Sequence, residues 1–329
     1  MKAVVIISGG LDSSLAVKAI LNQGIDVVAL HFLIPFVMDD EVSAFQTAAS
    51  RIAENLGVTF RLEILSDKYL DIIKNPSYGY GKNLNPCIDC KILMLKKARE
   101  VMNKEGASFI ATGEVLGQRP MSQNKRALSA ITRDSGLDGL LVRPLSAKLL
   151  PLTIPQEKGW LKDEFLFNFE GRGRNRQLAL AKEWQIKEFP WPGGGCLLTD
   201  KIFCRRLKDL IKHEKINDKE IKLIKIGRYF RVNDGFSLTV GRNQEENKKL
   251  TAIFSNGDYL FQPLGLPGPT AIGRGRIDEE AKNISSGIIA WYTDKKKEVK
   301  VKFQGGLRGN IQVLKARALD EGDLQAKRI

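Results

Sequence analysis

The sequence predicts an α/β fold: a doubly wound parallel sheet joined to a second, smaller basic α+β domain. Three observations predict it. Apolar β-branched runs alternate with helical spacing through the first 200 residues. Beyond residue 218 the texture changes to short alternating runs separated by Gly and Asn. Charge divides the same way, since residues 201–329 hold 27 Lys/Arg against 16 Asp/Glu, which is +11 of the formal net charge of +14. A chain of 329 residues also exceeds one average domain. Residues 1–200 are therefore read as the α/β domain, 201–218 as a linker helix and 219–329 as the basic domain with a polar tail. A basic second part suits a polyanionic partner.

Ala3–Ile7 reads as a buried strand, Ser8–Gly10 as a turn and Ser13–Gln23 as a helix ended by Gly24. Asp26–Phe32 is the next buried strand, so the first crossover is right-handed and the sheet parallel. The alternation continues with a helix over 41–56, a strand at Thr59–Ile64, a helix over 88–104 and a strand at Ser108–Thr112. Lys201–Ile216 reads as a charged helix, Phe236–Val240 and Val299–Phe303 as strands, and Asp278–Tyr292 as a helix. The tail after Gly322 is polar and expected to fray.

Four cysteines in a chain of this length make no disulfide scaffold. The N-terminus runs straight into a strand pattern, and no stretch approaches the roughly 20 apolar residues needed to span a bilayer. The expectation is a soluble cytoplasmic protein with reduced thiols and no membrane partner.

The string Ser8-Gly9-Gly10-Leu11-Asp12-Ser13-Ser14 carries chemistry. A polyphosphate needs several backbone N–H groups converging on one point, and side chains obstruct that approach. Gly9 and Gly10 allow it, and Ser8, Ser13 and Ser14 add hydroxyl donors. Asp12 repels phosphate unless Mg²⁺ lies between them. A plain serine-capped turn is the alternative. The string lacks the lysine of a GxxxxGK(S/T) loop. It resembles the SGGxDS signature of the PP-loop, or N-type ATP pyrophosphatase, superfamily. That resemblance implies an adenine nucleotide alpha hydrolase-like domain that grips the β- and γ-phosphates of ATP while a substrate oxygen attacks the α-phosphate.

Thr112-Gly113-Glu114, Gly117-Gln118 and Ser122-Gln123, then Arg143-Pro144-Leu145 with Lys148, resemble the tRNA 4-thiouridine synthetase branch. The resemblance implies that Thr112 and Gly113 help bind the nucleotide and that Lys148 is catalytic. A lysine there neutralises charge developing on the α-phosphate. The alternatives are an exposed charge for Lys148 and a salt-bridged scaffold role for Arg143. That branch carries an RNA-binding THUMP domain with no counterpart here, so tRNA is expected to be captured by other means. The segment Asn85-Pro86-Cys87-Ile88-Asp89-Cys90 is similar to one in the tRNA 2-thiouridylases.

Cys87 and Cys90 have CxxC spacing, suited to a metal or a redox pair, and Cys196 follows the glycine-rich run 192–195. Three readings stay open. Cys87, Cys90 and Cys196 resemble the three thiolates that hold a [4Fe–4S] cluster in part of this superfamily, leaving the fourth iron free for sulfide. Cys90 and Cys196 also suit a persulfide and disulfide mechanism. All four cysteines, Cys204 included, suit a structural Zn²⁺. His31 and His213 are incidental.

The segment Leu238–Leu250 with Asp258–Phe261 and Leu266–Pro269 resembles the RNA-binding domain of NFACT proteins (NFACT-R, DUF814 type). Arg242, Asn243, Asn247 and Lys248 are candidate phosphate contacts, with Arg274 and Arg276 beside glycines. Arg172, Arg174 and Arg176 are candidates to extend an RNA track. Together these features imply an ATP-dependent tRNA sulfurtransferase. Asp12 and Mg²⁺ would serve the nucleotide, and Cys196 or a cluster would carry sulfur. The sulfur donor would be sulfide, a persulfide or a sulfur carrier protein, and a homodimer is a possible assembly. The alternatives are a PP-loop ligase using a nitrogen nucleophile, and an RNA-binding quality-control adaptor with a relict ATP site.

Overall fold

An apolar β-branched run such as Lys2–Ile6 (β1) is satisfied only inside a sheet covered on both faces. The computed structural model describes every residue except 37–47, 66, 187–188, 190–195, 214–215 and 294–297. It divides into two units, Met1–Thr199 and Asp200–Ile329.

In the first unit β1 is the middle of five parallel strands. β2 (Asp26–Leu33) and β3 (Thr59–Ile64) lie on one side, β4 (Phe109–Thr112) and β5 (Leu141–Val142) on the other. The chain winds outward through β2 and β3, then returns across β1 to build the other half. The reversal opens a crevice past the carboxyl ends of β1 and β4, where doubly wound sheets bind ligands.

Helices cover both faces. Against one, Val5 and Ile7 pack with Ala16, Val17 and Ile20 of α1 (Leu11–Leu21) and Ile52 of α2 (Ala48–Asn55). Against the other, Val4 and Leu30 pack with Ile92, Leu95 and Ala98 of α4 (Cys87–Glu105), which follows α3 (Asp67–Lys74), and with Ile131 of α5 (Lys125–Asp134). Two short helices, α6 (Ile154–Glu157) and α7 (Asn175–Glu183), complete the unit. Helix α1 starts two residues earlier than the sequence spacing predicts, because extended Gly10 caps it. Of the helix expected over 41–56, residues 48–55 are helical and 41–47 lie outside the described residues.

The second unit opens with α8 (Lys201–His213) and α9 (Asp218–Ile224). Its six-stranded antiparallel sheet has the order β11–β10–β8–β9–β7–β6. The strands are β6 (Arg228–Asn233), β7 (Phe236–Val240), β8 (Tyr259–Pro263), β9 (Ala271–Gly275), β10 (Val299–Gly305) and β11 (Ile311–Ala316). One face packs Phe230, Phe236, Phe261 and Val301 under α11 (Glu279–Trp291). On the other, Leu260 and Ile272 meet Leu223 of α9 and Leu250 of α10 (Gln244–Ile253).

The tail departs from expectation. Glu321–Lys327 is a helix, α12, whose Asp320 cap accepts from the Asp323 N–H. Leu324 is 1% exposed, Lys327 Nζ donates to Val232 O at 3.1 Å, and the Ile329 N–H donates to Tyr229 O at 3.1 Å. One buried leucine among polar residues leaves no period to read in the sequence. Leu324→Ala should therefore cost about 2–4 kcal/mol, seen as a lower urea midpoint at constant slope. An unshifted midpoint would show that the tail is not part of the core.

Candidate active site

The loop after β1 sits at the mouth of the crevice. Gly9 has φ +80°, and a methyl group there would lie 2.9 Å from the Ala48 side chain and the Ala49 backbone. No side chain caps α1, so its first-turn amides are presented with the positive end of the helix dipole. Ser13 Oγ donates to Gly10 O at 2.8 Å and accepts from the Ser8 N–H at 3.2 Å, which holds the loop closed. Ser14 Oγ also turns back to Gly10 O, at 3.1 Å, and is fully buried. Ser8, Gly10, Asp12 and Ser13 line a cavity of about 560 Å³. Gly9 and Ser14 are not among its lining residues and brace the loop from behind.

The carboxyl end of β4 forms the facing wall. A Cβ on Gly113 would lie 2.4 Å from Asp12 O and 2.6 Å from the Ser13 nitrogen, so β4 reaches the loop only because residue 113 has no side chain. Asp12 Oδ2 accepts from Gln118 Nε2 at 3.0 Å and pairs with Arg174 Nη2 at 3.4 Å. Its Oδ1 is buried with no hydrogen-bond partner among the described residues. A hard divalent cation fits that orphaned carboxylate oxygen.

Glu114 is 4% exposed and joins three elements. Lys91 Nζ of α4 lies 2.6 Å from one oxygen, and Arg143 Nε and the Thr112 hydroxyl reach the other at 2.9 and 3.1 Å. Burial alone would raise the carboxyl, but Lys91 and Arg143 hold it down at about 2. Arg143 also donates to Thr132 Oγ1 and Leu128 O of α5. It is a scaffold residue, buried at 7% exposure.

The thiols form the far wall. Asp89 accepts from the Ser77 and Tyr78 N–H groups at 2.9 and 3.1 Å, which fixes the start of α4. The segment carrying Cys196 is stitched to the loop before α4, by Leu84 N–H to Leu198 O at 3.2 Å and Asn83 Nδ2 to Thr199 O at 2.7 Å. Cys87, Cys90 and Cys196 consequently line the same cavity as the loop, none of them in a disulfide. Tyr69 stands among them. Burial first, and then the neighbouring Cys90 and Cys196, push its hydroxyl far above the ordinary value. Burial likewise pushes the Cys90 thiol up to about 11, although Tyr69 and Lys91 favour the thiolate.

Among the described residues no three His, Cys, Asp or Glu side chains are grouped to hold one metal ion. Cys204, the fourth thiol of the zinc expectation, is buried in α8. A [4Fe–4S] cluster takes one thiolate on each of three irons and does not need the sulfurs in one coordination sphere, so this donor set fits it. The glycine run 192–195 lies outside the described residues.

Lys148 is not in the cavity lining. It lies in the last turn of a 3₁₀ segment, Pro144–Leu149, whose backbone is held by Lys148 N–H to Phe167 O, and its half-exposed ammonium lies 3.5 Å from Asp163. The cations lining the cavity are Lys82, Lys91, Arg119 and Arg174, and of these Arg174 pairs with Asp12 of the loop. Sequence reasoning had Arg174 on an RNA track, and only its long-range pairing with Asp12 reveals the other placement. Arg176 instead stacks on Phe169 and bonds Asn168.

In the second unit most of the expected phosphate contacts have structural partners. Arg242 pairs with Glu246, Asn243 caps α10, and Asn247 bridges Thr270 N–H and Gly268 O. Arg274 is buried on Asp258 at 2.7 Å. Arg276 is exposed.

Residues 1–148 match the family model described as thiamine biosynthesis protein (ThiI), and residues 227–327 match that of the NFACT protein RNA binding domain. The chain joins a ThiI-type domain to an NFACT-R-type domain. A probable tRNA sulfurtransferase of Methanothermobacter thermautotrophicus is 33% identical over 36% of this chain and 30% of its own length. A tRNA-specific 2-thiouridylase, MnmA 2 of Thermoanaerobacter sp., is 27% identical over 66% and 62%. The chain thus spans less than two thirds of these relatives. The U34-tRNA thiolase NcsA of Methanococcus maripaludis, solved with its [4Fe–4S] cluster, superposes with a TM-score of 0.32 at 17% identity over 67% of this chain and 69% of that one. That likeness is too distant to carry function.

In the ThiI-type domain Glu114 ties the thiol-bearing helix to the β4 wall. Its folded value lies below the unfolded value of 4.5, so the ion pairs contribute fully above about pH 4.5 and are lost as pH falls towards about 2. That separation is on the order of 3 kcal/mol. Glu114→Gln should destabilise by about 3–5 kcal/mol at pH 7, because Lys91 and Arg143 lose their counter-charge. The deficit relative to wild type, measured by urea unfolding, should shrink between pH 4.5 and 2. A deficit independent of pH would contradict the assignment.

Proposed function

We propose that the chain is an ATP-dependent tRNA sulfurtransferase acting on a uridine carbonyl. One observation carries this reading: a single cavity joins the Ser8–Ser14 phosphate loop to three cysteine side chains. An ATP-using ligase with a nitrogen nucleophile has no use for that wall of sulfur.

The first-turn amides of α1, with Ser8 and Ser13, suit the departing pyrophosphate. Asp12 Oδ1 would hold Mg²⁺, and Thr112 and Gly113 would flank the nucleotide. Arg174 takes the charge-neutralising part expected of Lys148, since it reaches the loop and Lys148 does not. The uridine oxygen attacks the α-phosphorus and the bond to the β-phosphate oxygen breaks. Sulfide then attacks the activated carbon, the C–O bond breaks and AMP leaves with the oxygen. Cys87, Cys90 and Cys196 would hold a [4Fe–4S] cluster, which when bound presents an iron without a protein ligand, suited to sulfide. Residues 1–200 would be the catalytic part, 201–218 the connecting helix and 219–329 the part that holds tRNA. No helix among the described residues is long and apolar enough to cross a membrane.

Deletion of the gene should remove one thionucleoside from total tRNA, read by mass spectrometry, and the reading fails if the nucleoside profile is unchanged. Arg174→Ala should slow ATP-dependent pyrophosphate release about 10²-fold. Cys196→Ser should leave pyrophosphate release intact while sulfur insertion stops. Full thiolation by Cys87→Ser, Cys90→Ser and Cys196→Ser variants would move the chemistry to another nucleophile.

A further inference from the structure

We infer that the exposed face of β10 and β11 is a docking surface for an RNA phosphate backbone, built on Lys300, Lys302 and Lys315. It deepens the tRNA reading above and rests on it. The strand register places these lysines on one face. Lys300 is directly opposite Lys315, Lys302 is opposite Val313, and Gln304 is opposite Ile311. The alternate residues Val299, Val301, Phe303 and Ala316 point the other way, into the core under α11. Helices α9 and α10 cover the outer face where Leu260 and Ile272 lie, on β8 and β9. Over β11 that face stays open, with Ile311 59% and Val313 54% exposed.

The face has a charge pattern that folding does not require. Like charges directly opposite on neighbouring strands are destabilising, and Lys300 and Lys315 are such a pair. None of the three lysines makes an ion pair among the described residues. An antiparallel ladder spaces same-face residues by about 7 Å along a strand and about 5 Å across it. The result is a compact cluster of three lysines, with aliphatic Val313 opposite Lys302 and Ile311 beyond it opposite Gln304. A polyanion relieves the repulsion, and a lysine supplies a point charge that contacts phosphate without reading a base. A second copy of the chain would bring this face against itself, lysine to lysine, which costs energy. The expected phosphate contacts in this unit, by contrast, are held by Glu246, Thr270 and Asp258.

The test is fluorescence anisotropy of the full chain with an unmodified tRNA transcript over a range of salt. Lys300→Gln, Lys302→Gln and Lys315→Gln together should weaken binding about tenfold or more at 0.15 M salt. The slope of log K against log salt should fall by roughly 0.7–0.9 per lysine. Thermal midpoints should hold or rise, because an opposed like-charge pair is gone. If the midpoint falls, Lys302→Gln alone carries the comparison. Lys208→Gln, Lys212→Gln and Lys219→Gln together remove the same charge elsewhere in the unit and should do less. An unchanged slope, or an equal loss in that control set, overturns the surface. So does a triple variant that loses polyglutamate or anionic vesicles but keeps tRNA. A variant that still thiolates with unaltered affinity loses the surface and keeps the sulfurtransferase reading. A chain that binds tRNA on this face and inserts no sulfur loses that reading alone.

Discussion

The close approach of β4 to the loop after β1 governs the first unit. The helix that follows one strand ordinarily stands clear of the next strand's end by the width of a side chain, and here it does not. With a methyl group at Gly113, the nearest loop atoms would be 2.4 to 2.6 Å away, well inside contact distance. Relieving that overlap would push the loop off its wall and cost at least the 1–3 kcal/mol typical of overpacking. The missing side chain therefore sets where the α1 amides point. It also sets whether Asp12 can be held between Gln118 and Arg174 with one oxygen left unpaired.

Glu114, one residue further on, carries that geometry to the thiols. A buried carboxylate paired with buried Arg143 and part-buried Lys91 contributes little net stability, since desolvation offsets most of the attraction. It does fix positions, because displacing α4 or the end of β4 would leave a buried charge without its partner. Lys91 lies one residue from Cys90 on α4, so the ion pair with β4 sets the distance between the sulfur wall and the phosphate loop. Desolvation keeps the Cys90 thiol protonated at neutral pH. Lys91 and Tyr69 favour the thiolate without outweighing burial, and metal ligation would add a stronger positive partner.

What the sequence made legible were features with a local backbone signature. The loop 8–14 could be read because paired glycines and a helix start are adjacent in the chain. The strands β1, β2 and β7 could be read because burial imposes its own pattern on short runs. Long-range pairings left no such mark. Arg174 lies 162 residues from Asp12, and nothing in its Gly-Arg-Asn surroundings points back to the loop. Lys148 was expected at the site by analogy with a motif, yet the 3₁₀ turn that carries it directs its ammonium towards Asp163. Gly113 was read as a nucleotide contact, while its measurable role is to leave room. Ser14 has the right chemistry for phosphate, but its hydroxyl is spent on its own helix. In the second unit Arg242, Asn247 and Arg274 looked like phosphate ligands because charge and amide groups can be counted and their partners cannot.

The second unit explains why basic composition and basic function need separate arguments. Of its arginines, Arg242 and Arg274 neutralise carboxylates that hold α10 and the sheet together, and so contribute little field to an RNA. The three lysines of β10 and β11 have no such counter-charge among the described residues, and the opposed pair Lys300 and Lys315 costs the fold something to keep. Phosphate contacts of this kind position an RNA without choosing a base. On the proposed reading, choice of uridine therefore falls to the cavity between the loop and the thiols, where a base must leave its stack to meet the α-phosphate. Affinity and selectivity then reside in different units, and loss of one should leave the other intact.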